Sequence, residues 1–246
     1  MFCIVSLQLH HDSDAACSIG GPGVCLRRRR RCSGVRRVRG ATWLRYGHVR
    51  SAVGHDADPL LDRFMPTFEV AERHAAYVRA PADITFAVAC EVDLQRSRLI
   101  RAIFKGRELA LRSHPGDPSD PRGLVAMTKA LGWGVLAEVP GREIVMGGVT
   151  KPWDANPAFR ALPPDAFASF DEPDYVKIVW TLGADPLRPG ASLARTETRV
   201  IATDRGARRK FRRYWSIFSP GIVLIRYVAL RLTKREAERR ARERQS

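Results

Sequence analysis

The chain has 246 residues, 45% of them hydrophobic and 28% charged, with a formal net charge of +16. That length suits one domain with tails and a sizeable core. Its charge is unevenly placed: residues 1–58 carry 10 basic and 4 acidic side chains, residues 59–204 carry 18 and 19, and residues 205–246 carry 14 and 3. A basic balance confined to the ends argues against a nucleic-acid-reading face on the folded body.

Four of the five cysteines (Cys3, Cys17, Cys25, Cys32) lie near the start, at spacings of 14, 8 and 7 that match no zinc template, and no CxxC pair exists. No disulfide framework is evident in these spacings, which suits a reducing, cytoplasmic setting. Neither a metal nor another cofactor is expected. Cys90, in Phe86-Ala-Val-Ala-Cys90, reads as a small buried hydrophobe.

Residues 1–58 contain Gly20-Gly-Pro-Gly23, the run Arg27 to Arg31 and no sustained period of two or 3.6. The short apolar start precedes the basic run, which is the wrong order for a signal peptide. This segment is expected to be an Arg-rich disordered tail, or a stretch upstream of a true start such as Met65. The ordered body is expected over 59–240, with 241–246 a charged tail.

Within the body, Phe68 to Arg79 reads as a strand ending at Ala80-Pro81, and Pro81 suits the first turn of a helix over Ala82 to Cys90. Leu94 to Leu111 reads as a second helix. His114-Pro-Gly-Asp-Pro-Ser-Asp-Pro121 is expected to be a loop, and Leu124 to Leu131 a short apolar helix.

Trp133 to Thr150 is the clearest hairpin, with Trp133, Val135, Ala137 and Val139 on one face before Pro140-Gly141, and Ile144 and Met146 after it. Pro-Gly favours a type II turn, so a longer loop or a bulge is expected at the tip. Tyr175 to Leu182 is a strand presenting Val176, Ile178, Trp180 and Leu182. After a turn over Ala184 to Gly190, Ala191 to Thr203 is the last strand.

The chain is organised around its last fifth. There Phe211, Trp215, Phe218, Ile222, Ile225, Ala229 and Leu232 recur at steps of four and three, on one face of a long helix. Tyr214, Ile217, Leu224 and Val228 widen the stripe beyond a coiled-coil seam, so it suits burial against a sheet. The fold expected is α+β, a curved antiparallel sheet wrapped around a long C-terminal helix. Ser219-Pro220-Gly221 predicts a kink, or a restart with Ser219 as cap. The charged stretch after Lys234 shows no apolar stripe and reads as a solvated, fraying end. A membrane span is not expected, because the apolar run Trp215 to Ile225 has only 11 residues before Arg226.

The order strand, helices, antiparallel strands, long helix, with Glu72-Arg-His-Ala-Ala-Tyr-Val-Arg-Ala-Pro81, Thr196-Glu-Thr-Arg-Val200, Thr203-Asp204, Phe211-Arg-Arg-Tyr-Trp215 and Ser219-Pro-Gly221, resembles the START-like or SRPBCC superfamily over about 63–240. These helix-grip proteins include polyketide cyclases, lipid-transfer proteins and pollen-allergen relatives. The resemblance implies a deep apolar cavity between sheet and helix, holding a lipid, a polyketide or another hydrophobic small molecule. Because function varies widely on this scaffold, fold alone assigns no reaction.

If the cavity exists, its walls come from Trp133, Val135, Ile144, Met146, Val176, Ile178, Trp180, Trp215, Phe218 and Ile222, with a few polar groups to orient the ligand. The plainer reading is that these side chains pack on one another as core. On the last strand Arg195, Glu197 and Arg199 share one face, and Ala194, Thr196, Thr198 and Val200 the other. Patterning puts the small face inside and a solvated Arg-Glu-Arg ladder outside. The sharper alternative turns the ladder inward, where Glu197 held by two arginines would orient a ligand carbonyl or hydroxyl.

For acid–base work the residues to consider are His74, Glu138, Glu143 and Asp154, and His74 has no carboxylate partner evident from spacing. No catalytic role is assigned. Binding of a hydrophobic small molecule or lipid is therefore favoured over two alternatives. One is a cyclase or dehydratase on the same fold; the other is peripheral binding of anionic lipid or nucleic acid through the basic termini. No signature of oligomeric state is present.

Overall fold

The computed structural model describes residues 50–51, 58–111 and 123–246. The expectations for the N-terminal tail, apart from residues 50–51 and 58, and for the loop over 114–121 lie outside the described residues.

Five antiparallel strands form one sheet: β3 (Val70–Val78), β4 (Gly134–Val139), β5 (Glu143–Thr150), β6 (Val176–Arg188) and β7 (Ala191–Ala202), in the order β3-β7-β6-β5-β4. A separate short pair joins β1 (Arg50–Ser51) to β2 (Thr67–Phe68). The helices are α1 (Pro59–Asp62), α2 (Ala82–Glu91), α3 (Arg98–Leu111), α4 (Leu124–Ala130), α5 (Pro164–Ser169) and α6 (Arg205–Glu243), with a 3₁₀ turn at Leu94–Arg96. The molecule is α+β, a curved antiparallel sheet with a 39-residue C-terminal helix across it.

The longest element starts where the chain supplies a cap. Asp204 is extended, and its carboxylate accepts from the backbone N–H groups of Gly206 and Ala207, satisfying two of the donors that a helix start leaves open. Pro220 does not interrupt the helix: α6 runs through it without a restart. The step-of-three-and-four stripe then packs on the sheet. Val70, Ile144, Met146, Val176, Ile178, Trp180, Leu182 and Val200 meet Phe211, Tyr214, Trp215, Ile222 and Ile225 in one continuous core.

Three expectations need correction. The hairpin bulges between Val135 and Ala137: Val135 pairs with Met146 on the helix-facing side, whereas Leu136 and Ala137 pack on the far side with Val145. Its tip is a three-residue loop closed by the Arg142 N–H to the Val139 carbonyl at 3.0 Å, with Gly141 at φ +69°. Strand β6 continues to Arg188, so the chain reverses only at Pro189-Gly190, with a bulge between Pro186 and Arg188. Finally, the last turns of α6 are not a solvated end. Ala237 and Ala241 are buried against Val78, Ala80 and Val88.

The sheet is covered on both faces. Behind it, away from α6, Leu61, Phe64, Met65 and Phe68 pack with Leu136, Val145, Val149, Phe167 and Val179 into a second core. Gly147 makes room there: a Cβ on it would stand 3.0 Å from the Phe167 ring and closer still to Leu136. Asp58 caps α1 ahead of Pro59 and is itself buried, so the folded body includes it.

Candidate functional site: a buried arginine between sheet and helix

Period-two alternation on β3 turns Val70, Glu72 and His74 to the side facing α6. The register then sets Glu72 opposite Thr198 and His74 opposite Thr196 on β7, and Trp180 of β6 opposite Thr198. From the other side α6 contributes Arg226, Ala229, Leu230 and Thr233, three or four residues apart and so on one face. A polar chamber results at the end of the apolar core.

Arg226 is 3% exposed, and its Nη2 donates to Thr198 Oγ1 at 2.6 Å. Its Nε and Nη1 find no acceptor among the described residues. Burial pulls its pKa down to about 10, opposed by the Glu72 and Glu197 carboxylates. Around it, Trp180 Nε1 donates to Thr196 Oγ1 at 2.7 Å, and that hydroxyl donates to the Thr181 carbonyl at 2.9 Å. His74 Nε2 stands 3.2 Å from Glu72 Oε2, and the Tyr227 ring lies edge-on to the imidazole at 5.0 Å between centroids. Leu124, Trp180, Leu182, Thr196, Arg226, Ala229, Leu230 and Thr233 enclose about 20 Å³. That is room for about one water.

Chemically, the chamber offers cationic N–H donors in an apolar, water-poor setting. A carboxylate, enolate or polarised carbonyl oxygen would satisfy them, at a field strength that water would otherwise damp. The His74–Glu72 pair is the arrangement of an oriented acid or base.

The wall residues expected from sequence fall mainly in the packed core. Trp133, Ile144, Met146, Val176, Ile178, Trp180, Trp215 and Ile222 are buried in it, and Val135 and Phe218 pack against it half-buried. Of these, Trp180 lines the chamber.

Glu197 is corrected outright: it faces away from α6. The small residues of β7 face the helix, as patterning predicts, but the opposite ladder is not solvated. Arg199 is 0% exposed and Glu197 4%. Arg199 Nε donates to Glu197 Oε1 at 2.7 Å, and its Nη1 to the Met65 carbonyl at 2.9 Å and to Asp62, with its guanidinium over the Phe68 ring at 4.8 Å. Arg73 reaches the other Glu197 oxygen at 2.6 Å. The segment 58–68 that roofs this face supplies the missing partners.

Beside that network, Arg195 bonds Asp58, Glu143 and Asp185 at 2.7–2.9 Å. Burial works against its charge, yet Glu143 and Asp185 outweigh it and hold the pKa above the ordinary arginine value. A groove of about 510 Å³ opens here, with Arg73, Arg142, Glu143, Asp185, Arg195 and Glu197 among its walls. Its charges are mutually neutralised, so it is a structural seam more than a ligand seat. Among the other acid–base residues considered, Glu143 belongs to this seam, and Glu138 and Asp154 are exposed.

Arg226, Glu72, Thr196 and Thr198 were not singled out by sequence. Two signals pointed to them. Arg226 lies 11 residues after Trp215 and four after Ile222, on the buried side of the stripe, and Glu72 precedes His74 by two, hence on the same strand face.

No protein-family model and no curated protein sequence matches the chain. Two solved structures were found. One is the di-domain ARO/CYC protein BexL from the BE-7585A biosynthetic pathway, at 15% identity and TM-score 0.27, covering 68% of this chain and 46% of that one. The other is the Zhui aromatase/cyclase from a Streptomyces species, at 14% identity and TM-score 0.25, covering 69% and 94%. The chain thus spans about half the length of the di-domain protein. Similarity of this size assigns no function.

Proposed function

We propose that the protein is a START-like binding protein. It receives a hydrophobic small molecule bearing a carboxylate, enol or ketone oxygen between sheet and helix, with Arg226 as the anchor. One observation carries this reading. A guanidinium 3% exposed, with two nitrogens lacking a protein acceptor among the described residues, sits beside apolar walls where an unpaired charge costs several kcal/mol. An acceptor from a ligand would offset that cost. The chamber of about 20 Å³ has room for about one water, so α6 must shift to admit a larger ligand. Pro220, six residues before Arg226, lacks the N–H that would bond the Ser216 carbonyl, which weakens the helix there.

The test is native mass spectrometry of the purified full chain, with solvent extraction, beside Arg226→Met. A co-purifying oxygen-bearing apolar molecule is expected with the wild type and absent from the variant. A bare chain that also shows no saturable Trp fluorescence change with hydrophobic carboxylic acids or diketones would overturn the reading.

The His74–Glu72 contact favours a second reading, a cyclase or dehydratase in which His74 moves a proton while Arg226 holds the developing oxyanion. It predicts that His74→Gln retains ligand and loses turnover. Equal loss of both would reduce His74 to a packing role.

A further inference from the structure

We propose that the outward side of α6 docks on the surface of an anionic lipid bilayer. The helix carries an 18-residue window of mean hydropathy 1.3, of which only 39% is buried. One side of that window is the core face against the sheet. The other leaves large apolar side chains in solvent: Ile217 at 52%, Leu224 at 40% and Tyr227 at 57% exposure. Steps of seven and three place them on one stripe with exposed Pro220. Helix α3 packs alongside, where Ile103 would stand 3.0 Å from a Cβ on Gly221. Leu99, one turn earlier on α3, is 46% exposed.

Charge complementarity selects the partner. The stripe is bracketed by Arg209 and Arg213 before it and Arg231 and Arg235 after it, all exposed and with no ion-pair partner among the described residues. No acidic residue occurs in α6 before Glu236. Arg213 and Arg231 are 18 residues apart, about 27 Å along the axis, and the apolar side chains fill the interval. An apolar window with basic ends is the pattern of a helix lying in the headgroup plane of negatively charged lipid. A second copy of the same face would set arginines against arginines. Arg226, the cation inside the window, bonds Thr198 on the buried side and does not face the lipid. The stripe ends at Tyr227 against His74, so the docked face borders the buried chamber.

The experiment is vesicle flotation of the full chain, with phosphatidylcholine vesicles alone and with roughly 30% phosphatidylglycerol. Binding to the anionic vesicles only, lost in high salt, is expected. Ile217→Glu/Leu224→Glu should weaken it by about tenfold or more, and Arg213→Gln/Arg231→Gln should weaken it and flatten its salt dependence. Both pairs are exposed, so thermal melts should stay near the wild type; if the glutamate pair fails to fold, the glutamine pair decides. No flotation of the wild type, or unaltered flotation of the variants, overturns the proposal. So does a wild-type dimer that the variants abolish, since a second copy would then cover the face.

Discussion

Arg226 shows why a single buried side chain has to be weighed with its neighbours. Its guanidinium bonds Thr198, and the Glu72 carboxylate supports its charge from across the chamber. Removing the arginine alone takes a cation away from the Glu72 carboxylate, which still contacts His74. We therefore expect Arg226→Met to cost about 2 kcal/mol, and Glu72→Gln/Arg226→Met to recover part of that cost, because the carboxylate whose charge Arg226 feels is neutralised with it. Denaturant melts of the single and double variants measure this. A double variant less stable than Arg226→Met would mean that Glu72 works with other partners, and would remove the pair from the account of the site.

At the scale of elements, the end of α6 is held by small residues. Ala237 is fully buried where the helix crosses β3 and α2, and Ala241 is nearly so. Around them Arg240 bonds Glu91 at 2.8 Å, the Arg79 N–H donates to Glu238 at 3.0 Å, and Lys234 donates to the Tyr77 carbonyl at 2.8 Å. Close approach is possible because nothing larger than a methyl intervenes. Ala237→Leu should force the helix off the strand and cost about 1–3 kcal/mol, a fall in Tm of several degrees by calorimetry. An unchanged Tm would restore the reading of a loose end.

The same alanines mark how far the sequence was legible. The stripe from Phe211 to Ile225 was readable because large apolar side chains repeat at helical spacing. Ala237 and Ala241 were hidden because alanine among arginines and glutamates has the composition of a solvated helix, and only the nearness of β3 buries it. On β7, alternation correctly separated the Thr face from the Arg-Glu-Arg face. It could not reveal that residues 58–68 would roof the charged side, since that is a long-range contact made by a short segment with little periodicity. Glu72 and Arg226 lie 154 residues apart in sequence; each lay on a predictable face, but the coupling of their charges depends on where the helix crosses the sheet.

For the whole molecule, the carboxylates at the start of α6 and near its end set how stability follows pH. At its start Asp204 accepts backbone N–H groups from Asp174, Ala207 and Gly206, which holds its carboxyl below the usual range. Asp174 is lowered chiefly by its bond to Lys210 at 2.6 Å. Towards the end of α6, hydrogen bonds from Arg239 and Arg240 bring Glu236 down to about 2. A carboxylate whose folded pKa is depressed adds stability above its unfolded pKa of about 4, and that contribution fades as the pH falls through the folded value. The protein should therefore lose thermal stability progressively between about pH 4.5 and pH 2. Asp204→Asn/Glu236→Gln should melt below the wild type at pH 7, and the two curves should converge near pH 2. Near-UV circular dichroism follows the packing of Trp133, Trp180 and Trp215 in the core between sheet and helix, and so reports whether that core or only the surface has loosened. A gap between the proteins that persists unchanged to pH 2 would show that these carboxylates act through packing and not through their charge.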